Sequence, residues 1–220
     1  MSLRLLALDT TSEYGSIALS QGPRVIEEVP LHSPEGFAHV LFDEIRCLLQ
    51  RHGWKLNDVE GFASAAGPGS FTGVRIGLTA AKGLAEAARR QVVAVSNLEA
   101  LAWFGTRPLR APVLDARRGE VYAAVFDSSL RQVRDEVVMP FESWTALLPD
   151  GDLEIVTATR ELIAGVKFPV LLAPRALAGA VASIAANRFA SGMARDPAEI
   201  DANYVRRSDA ELLWKEPKRS

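Results

Sequence analysis

The chain has 220 residues, a formal net charge of −2 and a single cysteine, Cys47. That length holds one large domain or two small ones sharing a core. The near-neutral charge argues against a protein that grips nucleic-acid phosphates unaided, which takes a basic excess or a clustered basic face. A lone cysteine rules out an internal disulfide framework.

Met1 to Leu5 leads straight into a strand-like segment with no apolar stretch and cleavage site behind it. No segment approaches the roughly 20 apolar residues of a membrane span. The expectation is a soluble, cytoplasmic protein with no membrane attachment.

Three strands open the chain: Leu3 to Leu8, Gly15 to Ser20 and Arg24 to Leu31, with Gly22-Pro23 turning between the last two. From Pro34 to His52 the period changes. Phe37, Leu41, Ile45 and Leu48 recur at intervals of three and four, which predicts a helix with Gly53 just beyond its end. Gly61 to Ala66 is a strand, Thr72 to Arg89 a long helix and Val92 to Val95 a short buried strand. Ser96-Asn97-Leu98-Glu99 then has the capping-box pattern, Ser96 as N-cap and Glu99 reaching back.

The second half begins in the same way. At the offset that carries Leu8-Asp9 onto Leu114-Asp115, Ser16-Ile17-Ala18-Leu19 falls on Tyr122-Ala123-Ala124-Val125. With two further residues in the turn, Val25–Val29 falls on Val133–Val137. A tandem duplication follows: residues 1–105 as one lobe and 106–220 as another. Beyond it lie a short helix at Phe141 to Leu148, strands at Glu154 to Ala158 and Val170 to Ala173, a helix at Ala176 to Ser191, and a loosely held tail from Ala210. The predicted fold is α/β: a duplicated two-lobe actin-like architecture, shared by sugar kinases and heat-shock ATPases, each lobe a mixed sheet flanked by helices.

Asp9-Thr10-Thr11-Ser12 ends the first strand in a turn. Successive N–H groups there could cradle a phosphate, but Asp, Thr and Ser are also ordinary turn residues that bond their own backbone, and that reading comes first. Asp115, the counterpart of Asp9, opens Asp115-Ala116-Arg117-Arg118-Gly119-Glu120, read as a hairpin turn pinned by Arg–Glu contacts.

The most distinctive stretch is Gly67 to Ala85, GPGSFTGVRIGLTAAKGLA. It lacks a Gly-Lys-Ser/Thr ending and is not a P-loop. Gly73, Gly77 and Ala81 are spaced four apart, with Ala80 extending the small surface. Glycine inside a helix costs about 1 kcal/mol relative to alanine, so the pair points to close approach of another backbone. That neighbour is either internal, with the Pro34–His52 helix as first candidate, or another chain. Arg75 either binds a carboxylate or holds the turn.

His32, His39 and His52 supply no His-x-x-x-His pair, no cysteine stands beside a histidine as a nucleophile, and no Gly-x-Ser-x-Gly elbow is present. No metal site is expected.

The Gly67–Ala85 block resembles that of the TsaB (YeaZ) family. So do Leu8–Ser12 with Gly15–Leu19, Val95–Leu98, Leu114–Tyr122 and Asn203-Tyr204-Val205-Arg206, all in the family's order. The resemblance implies the duplicated actin-like fold and a non-catalytic partner of the transferase TsaD, which carries a metal-binding His pair and places threonylcarbamoyl on adenosine 37 of tRNA. It further implies a TsaE-like ATPase in the complex, homodimers when the chain is alone, and only indirect contact with tRNA. ATP and metal are expected in the assembled complex and not on this chain by itself. The family's docking helices correspond to Pro34–His52 and Thr72–Arg89, which makes Gly73, Gly77, Ala80, Ala81, Leu41 and Ile45 the expected interface. Asp9, Thr10, Thr11 and Asp115 become vestiges of phosphate-type turns. One departure stands out: His32-Ser33-Pro34 leads into the first helix without the family's Leu-Leu-Pro start, so that helix is expected to begin differently.

Two other classes compete. A glycoprotease-like metallopeptidase would need a histidine-rich ligand set. A small-molecule kinase of the same fold would place Asp9 and Thr10 on phosphates.

Overall fold

In a computed structural model, which describes residues 2–163 and 165–205, ten strands form two five-stranded sheets. The first holds β1 (Arg4–Asp9), β2 (Tyr14–Gln21), β3 (Arg24–His32), β4 (Gly61–Ala65) and β5 (Val92–Val95), in the order β3-β2-β1-β4-β5. The second holds β6 (Leu109–Asp115), β7 (Glu120–Asp127), β8 (Gln132–Pro140), β9 (Leu153–Thr157) and β10 (Val170–Leu172), and its order read from β8 is the same: β8-β7-β6-β9-β10. In each, an antiparallel meander of three strands is extended by two parallel ones. The duplication is therefore present in topology as well as in sequence.

The copies differ in their helices. The first half carries α1 (Leu41–Arg51) and the 18-residue α2 (Phe71–Ala88); the second has only the five-residue α4 (Phe141–Thr145) and a 3-10 turn at Arg160–Ile163 in the corresponding places. The remaining two, α3 (Asn97–Ala102) and α5 (Ala178–Ala190), change sides. Helix α3 packs on β6, β7 and β9 of the second sheet, and α5 packs across β1 to β5 of the first. The expected boundary at 105/106 thus falls between the two sheets but does not divide the packing, because residues 178–203 return to the first sheet.

Both faces of the first sheet are covered, so its central strands are apolar throughout rather than alternating. Leu5 and Ala7 of β1 join α5 in one core cluster, whereas Leu6 and Leu8 join α1 and α2 in another. The N-terminus of α5 is satisfied from a distance. Ser16 Oγ accepts from the N–H groups of Leu177 (3.1 Å) and Ala178 (2.9 Å), and Glu28 Oε1 accepts from that of Gly179 (2.9 Å). A hydroxyl and a carboxylate thus meet donors that a helix leaves unpaired at its start.

Two local expectations are corrected. Helix α1 begins at Leu41, not Pro34: Pro34 restricts the residue before it, Gly36 sits at φ +93°, and the Ser33 hydroxyl closes a turn on the Gly36 carbonyl at 2.5 Å. Phe37 is nevertheless buried in the core. Ser96 does cap α3, accepting from Leu98 N at 3.1 Å, but Glu99 does not reach back. Arg188 Nη2 donates to both Glu99 oxygens (2.6 and 2.8 Å), and Arg188 Nη1 donates to the Ala94 carbonyl (2.7 Å). Burial pushes the Glu99 carboxyl above its ordinary range despite that guanidinium. Arg206, which ends the near-terminal block, and the tail from Ala210 lie outside the described residues.

The glycines of α2 lie against the end of β1. A Cβ on Gly73 would overlap the Thr10 carbonyl oxygen, and one on Gly77 would stand 2.5 Å from Thr10 Oγ1. The close neighbour is thus internal, and it is a strand end rather than the first helix. Gly77→Leu is therefore expected to destabilise the monomer by about 3 kcal/mol, the upper end for overpacking; denaturant unfolding checks this, and an unchanged midpoint would place the glycine elsewhere. Arg188→Ala leaves a buried carboxylate unpaired and is expected to cost about 3 kcal/mol, read in the same assay.

Candidate functional site

A cleft of about 620 Å³ opens between the lobes, with the β1 turn on one wall and the β6–β7 turn on the other. In the first wall, Asp9 Oδ1 accepts from Thr11 N (3.0 Å) and Thr11 Oγ1 (2.6 Å). Thr10 Oγ1 donates to the Gly73 carbonyl (2.7 Å), and the Thr11 carbonyl accepts from Ser70 N (2.7 Å). Asn97, 1% exposed, joins the two loops: its Nδ2 donates to Thr11 Oγ1 (2.5 Å) and its Oδ1 accepts from Gly67 N (2.9 Å). Burial raises the Asp9 carboxyl above its usual pKa, with the Thr11 hydrogen bonds opposing.

The opposite wall repeats the device, since Asp115 Oδ1 accepts from Arg117 N at 2.7 Å. Arg117, Arg118 and Gly119 all hold positive φ, and Glu120 N closes the hairpin on the Arg117 carbonyl at 3.0 Å. Both aspartates bond the N–H two residues on, the self-contained Asx turn. The hydroxyls that would meet a phosphate in the first turn are engaged within the chain, Thr10 Oγ1 on the Gly73 carbonyl and Thr11 Oγ1 on Asp9.

The helical surface differs from expectation. Gly73, Gly77, Ala80 and Ala81 of α2, and Leu41 and Ile45 of α1, are all buried within the chain. None of the six presents a surface to a second molecule: the α2 residues are seated toward β1 and β4, and Leu41 and Ile45 lie in the core cluster with Leu6, Leu8 and Phe62. The outward faces carry other residues: Phe42, 55% exposed, with Asp43 and Arg46 on α1, and Thr72, Arg75, Thr79, Gly83 and Glu86 on α2. Gly83 alone among the α2 glycines has no atom within 4 Å of the place a Cβ would take.

His52 Nε2 lies 2.6 Å from Glu27 Oε2, His32 stacks on Tyr14 at 4.6 Å, and His39 is exposed. Among the described residues no group of three His, Cys, Asp or Glu is placed to hold a metal ion. Nor is any helix among them long and apolar enough to cross a membrane.

A second hollow, about 540 Å³, lies where Glu136 of β8 meets the first half. Glu136 accepts from the Ser96 hydroxyl and from Asn203 Nδ2 (2.6 Å), and burial raises its pKa. Sequence reasoning quoted Asn97 only within the Ser96–Glu99 and Val95–Leu98 blocks and gave neither it nor Glu136 a role; each joins segments far apart in the chain.

A profile of the family described as TsaD, tRNA N6-adenosine threonylcarbamoyltransferase, matches residues 29–212. The chain is 33% identical over 159 residues to the Bacillus subtilis tRNA threonylcarbamoyladenosine biosynthesis protein TsaB, a match covering 70% of this chain and 69% of that one. Against the Escherichia coli protein of the same name it is 38% identical over 130 residues, covering 56% and 55%. The structure of YeaZ from Pseudomonas aeruginosa superposes with a TM-score of 0.81 at 29% identity, over 92% of this chain and 99% of that one. Component A of the (R)-2-hydroxyglutaryl-CoA dehydratase of Acidaminococcus fermentans shares the fold at a TM-score of 0.57 and 8% identity, over 86% and 99%. The chain belongs to this family, in its TsaB (YeaZ) branch.

Proposed function

We propose that the chain is a cytoplasmic partner subunit in the formation of N6-threonylcarbamoyladenosine on tRNA, that it docks a TsaD-like transferase, and that it performs no turnover alone. The observation that carries this reading is the division of polar work. The turn that would meet a substrate phosphate is spent on the chain's own backbone, while the outer faces of α1 and α2 stay open. A glycine in mid-helix costs about 1 kcal/mol against alanine. Gly73 and Gly77 recover that by contact with Thr10, and Gly83 has no such internal reason. A flat position at Gly83, one turn from the exposed Thr79 on the same face of α2, admits a partner helix at close range. The same surface serves a homodimer when the transferase is missing, and a TsaE-like ATPase joins the assembled complex.

Two outcomes follow. Gly83→Leu is expected to raise the monomer's melting temperature by about 2–4 °C, since it meets open space and removes the cost of a mid-helix glycine, and to weaken binding of the organism's TsaD-like protein by at least tenfold. Calorimetric titration reads this, and unimpaired binding would remove the docking reading. Asp9→Asn keeps the Oδ1 acceptor for both Thr11 donors. Because the folded state raises the Asp9 pKa, its favourable contribution is complete only below the ordinary carboxylate range and is lost as pH rises through the folded value. At neutral pH the ionised group is a net cost. The variant is therefore expected to be as stable as wild type or more so at pH 7, to lose stability less steeply from acid to neutral pH, and to support full tRNA modification with its partners. A folded variant that abolished modification would give Asp9 a chemical role.

A further inference from the structure

The block Asn203-Tyr204-Val205 plays no part in the reading above, yet the chain takes pains to place it. After α5, Arg195 exchanges two backbone hydrogen bonds with Val92 of edge strand β5 (2.9 and 3.0 Å). Lys82 Nζ of α2 then donates to the Ile200 carbonyl (2.9 Å). Asn203 N donates to the Ala66 carbonyl (2.8 Å), and its side chain reaches Glu136. These fixed points deliver Tyr204 to the first turn of α2. Its hydroxyl bonds Arg75 Nε at 3.0 Å, and its ring lies 5.2 Å from that of Phe71. The Arg75 guanidinium stands 3.8 Å over Phe71 and 6.0 Å from the Tyr204 ring.

The cluster is assembled but not covered. Phe71 is 38% exposed and Tyr204 43% exposed, and among the described residues no carboxylate pairs with Arg75. Exposed Tyr and Arg, held in place beforehand, are the residue types that concentrate binding energy at interfaces, because little side-chain freedom remains to be lost. A guanidinium whose Nε is taken still offers its Nη edge, which matches a carboxylate. Arg75, Thr79 and Gly83 follow one another at intervals of four on the same exposed face.

We infer that Phe71, Arg75 and Tyr204 form a preassembled anchor that receives a carboxylate of the transferase subunit. This rests on the docking reading of α1 and α2. The full-length chain is titrated with the organism's TsaD-like protein at several salt concentrations. Arg75→Glu is expected to weaken binding by about 100-fold, and Arg75→Lys by about tenfold because it keeps charge but loses the fork and the stacking. Tyr204→Phe is expected to weaken binding less than either, and Arg75→Gln to flatten the salt dependence seen in wild type. Wild-type affinity in Arg75→Glu together with loss in Gly83→Leu overturns the anchor and leaves the docking face standing; wild-type affinity in both removes the docking face as well. A loss confined to self-association or to tRNA binding also overturns the proposal, since a second copy or a phosphate would then be the occupant.

Discussion

The structure depends on a contact in which one backbone lies directly on another: the first turns of α2 against the Thr10–Thr11 turn that ends β1. Only glycine allows it, since a Cβ at position 73 or 77 would occupy the space of Thr10. The contact has two consequences at once. It fills the first-lobe wall of the cleft with the chain's own helix, so that the Thr10 hydroxyl and Thr11 carbonyl bond α2 and its cap rather than a ligand. It also fixes the rotation of α2 about its axis, because seating positions 73, 77 and 81 inward turns positions 75, 79 and 83 outward. The inner contact thereby determines which residues the outer face of α2 displays.

This explains why the fold was legible in the sequence and the outward face of α2 was not. The duplication was visible because two copies of an aspartate-ended strand and its hairpin keep the same local pattern, and the sheets then repeat it strand for strand. A small-residue stripe gives no comparable direction. Gly73, Gly77 and Ala81 form one series at intervals of four, and Thr79, Gly83 and Ala87 form another on the same helix. Spacing alone cannot say which series is core. The choice is made by Thr10, sixty-three residues before Gly73. Asn97 and Glu136, and the pairing of Glu99 with Arg188, escaped notice for the same reason: each is a contact between distant segments, and the local reading of Glu99 as half of a capping box competed with the true one. Helix α1 was overextended because Phe37 keeps the helical period while Pro34 and Gly36 break the backbone.

Duplication also left an asymmetry. Where the first half runs through 18 helical residues between β4 and β5, the second passes from β9 to β10 with one 3-10 turn. Helices α1 and α2 therefore have no counterparts of similar length at the corresponding places of the second half. The other lobe contributes Glu136 and, through α5 and the segment after it, the strap that carries Tyr204 to α2. The two halves have diverged into a displaying lobe and a bracing lobe.

The bracing bears on mobility. A cleft that closes on a substrate must be free to open, and lobe motions of that kind break few strong contacts. Here separation of the lobes would strip Glu99 on α3 of Arg188 on α5, exchanging an ion pair with two hydrogen bonds for water. It would also part Glu136 of the second sheet from Asn203, which the Ala66 carbonyl holds to the first. Exchange of α3 and α5 between the sheets adds apolar burial to the same boundary. These contacts together oppose opening of the cleft. Bracing of this kind also holds the outer faces of α1 and α2 and the Phe71–Arg75–Tyr204 cluster in one fixed relation, and a surface fixed beforehand loses less entropy in any association.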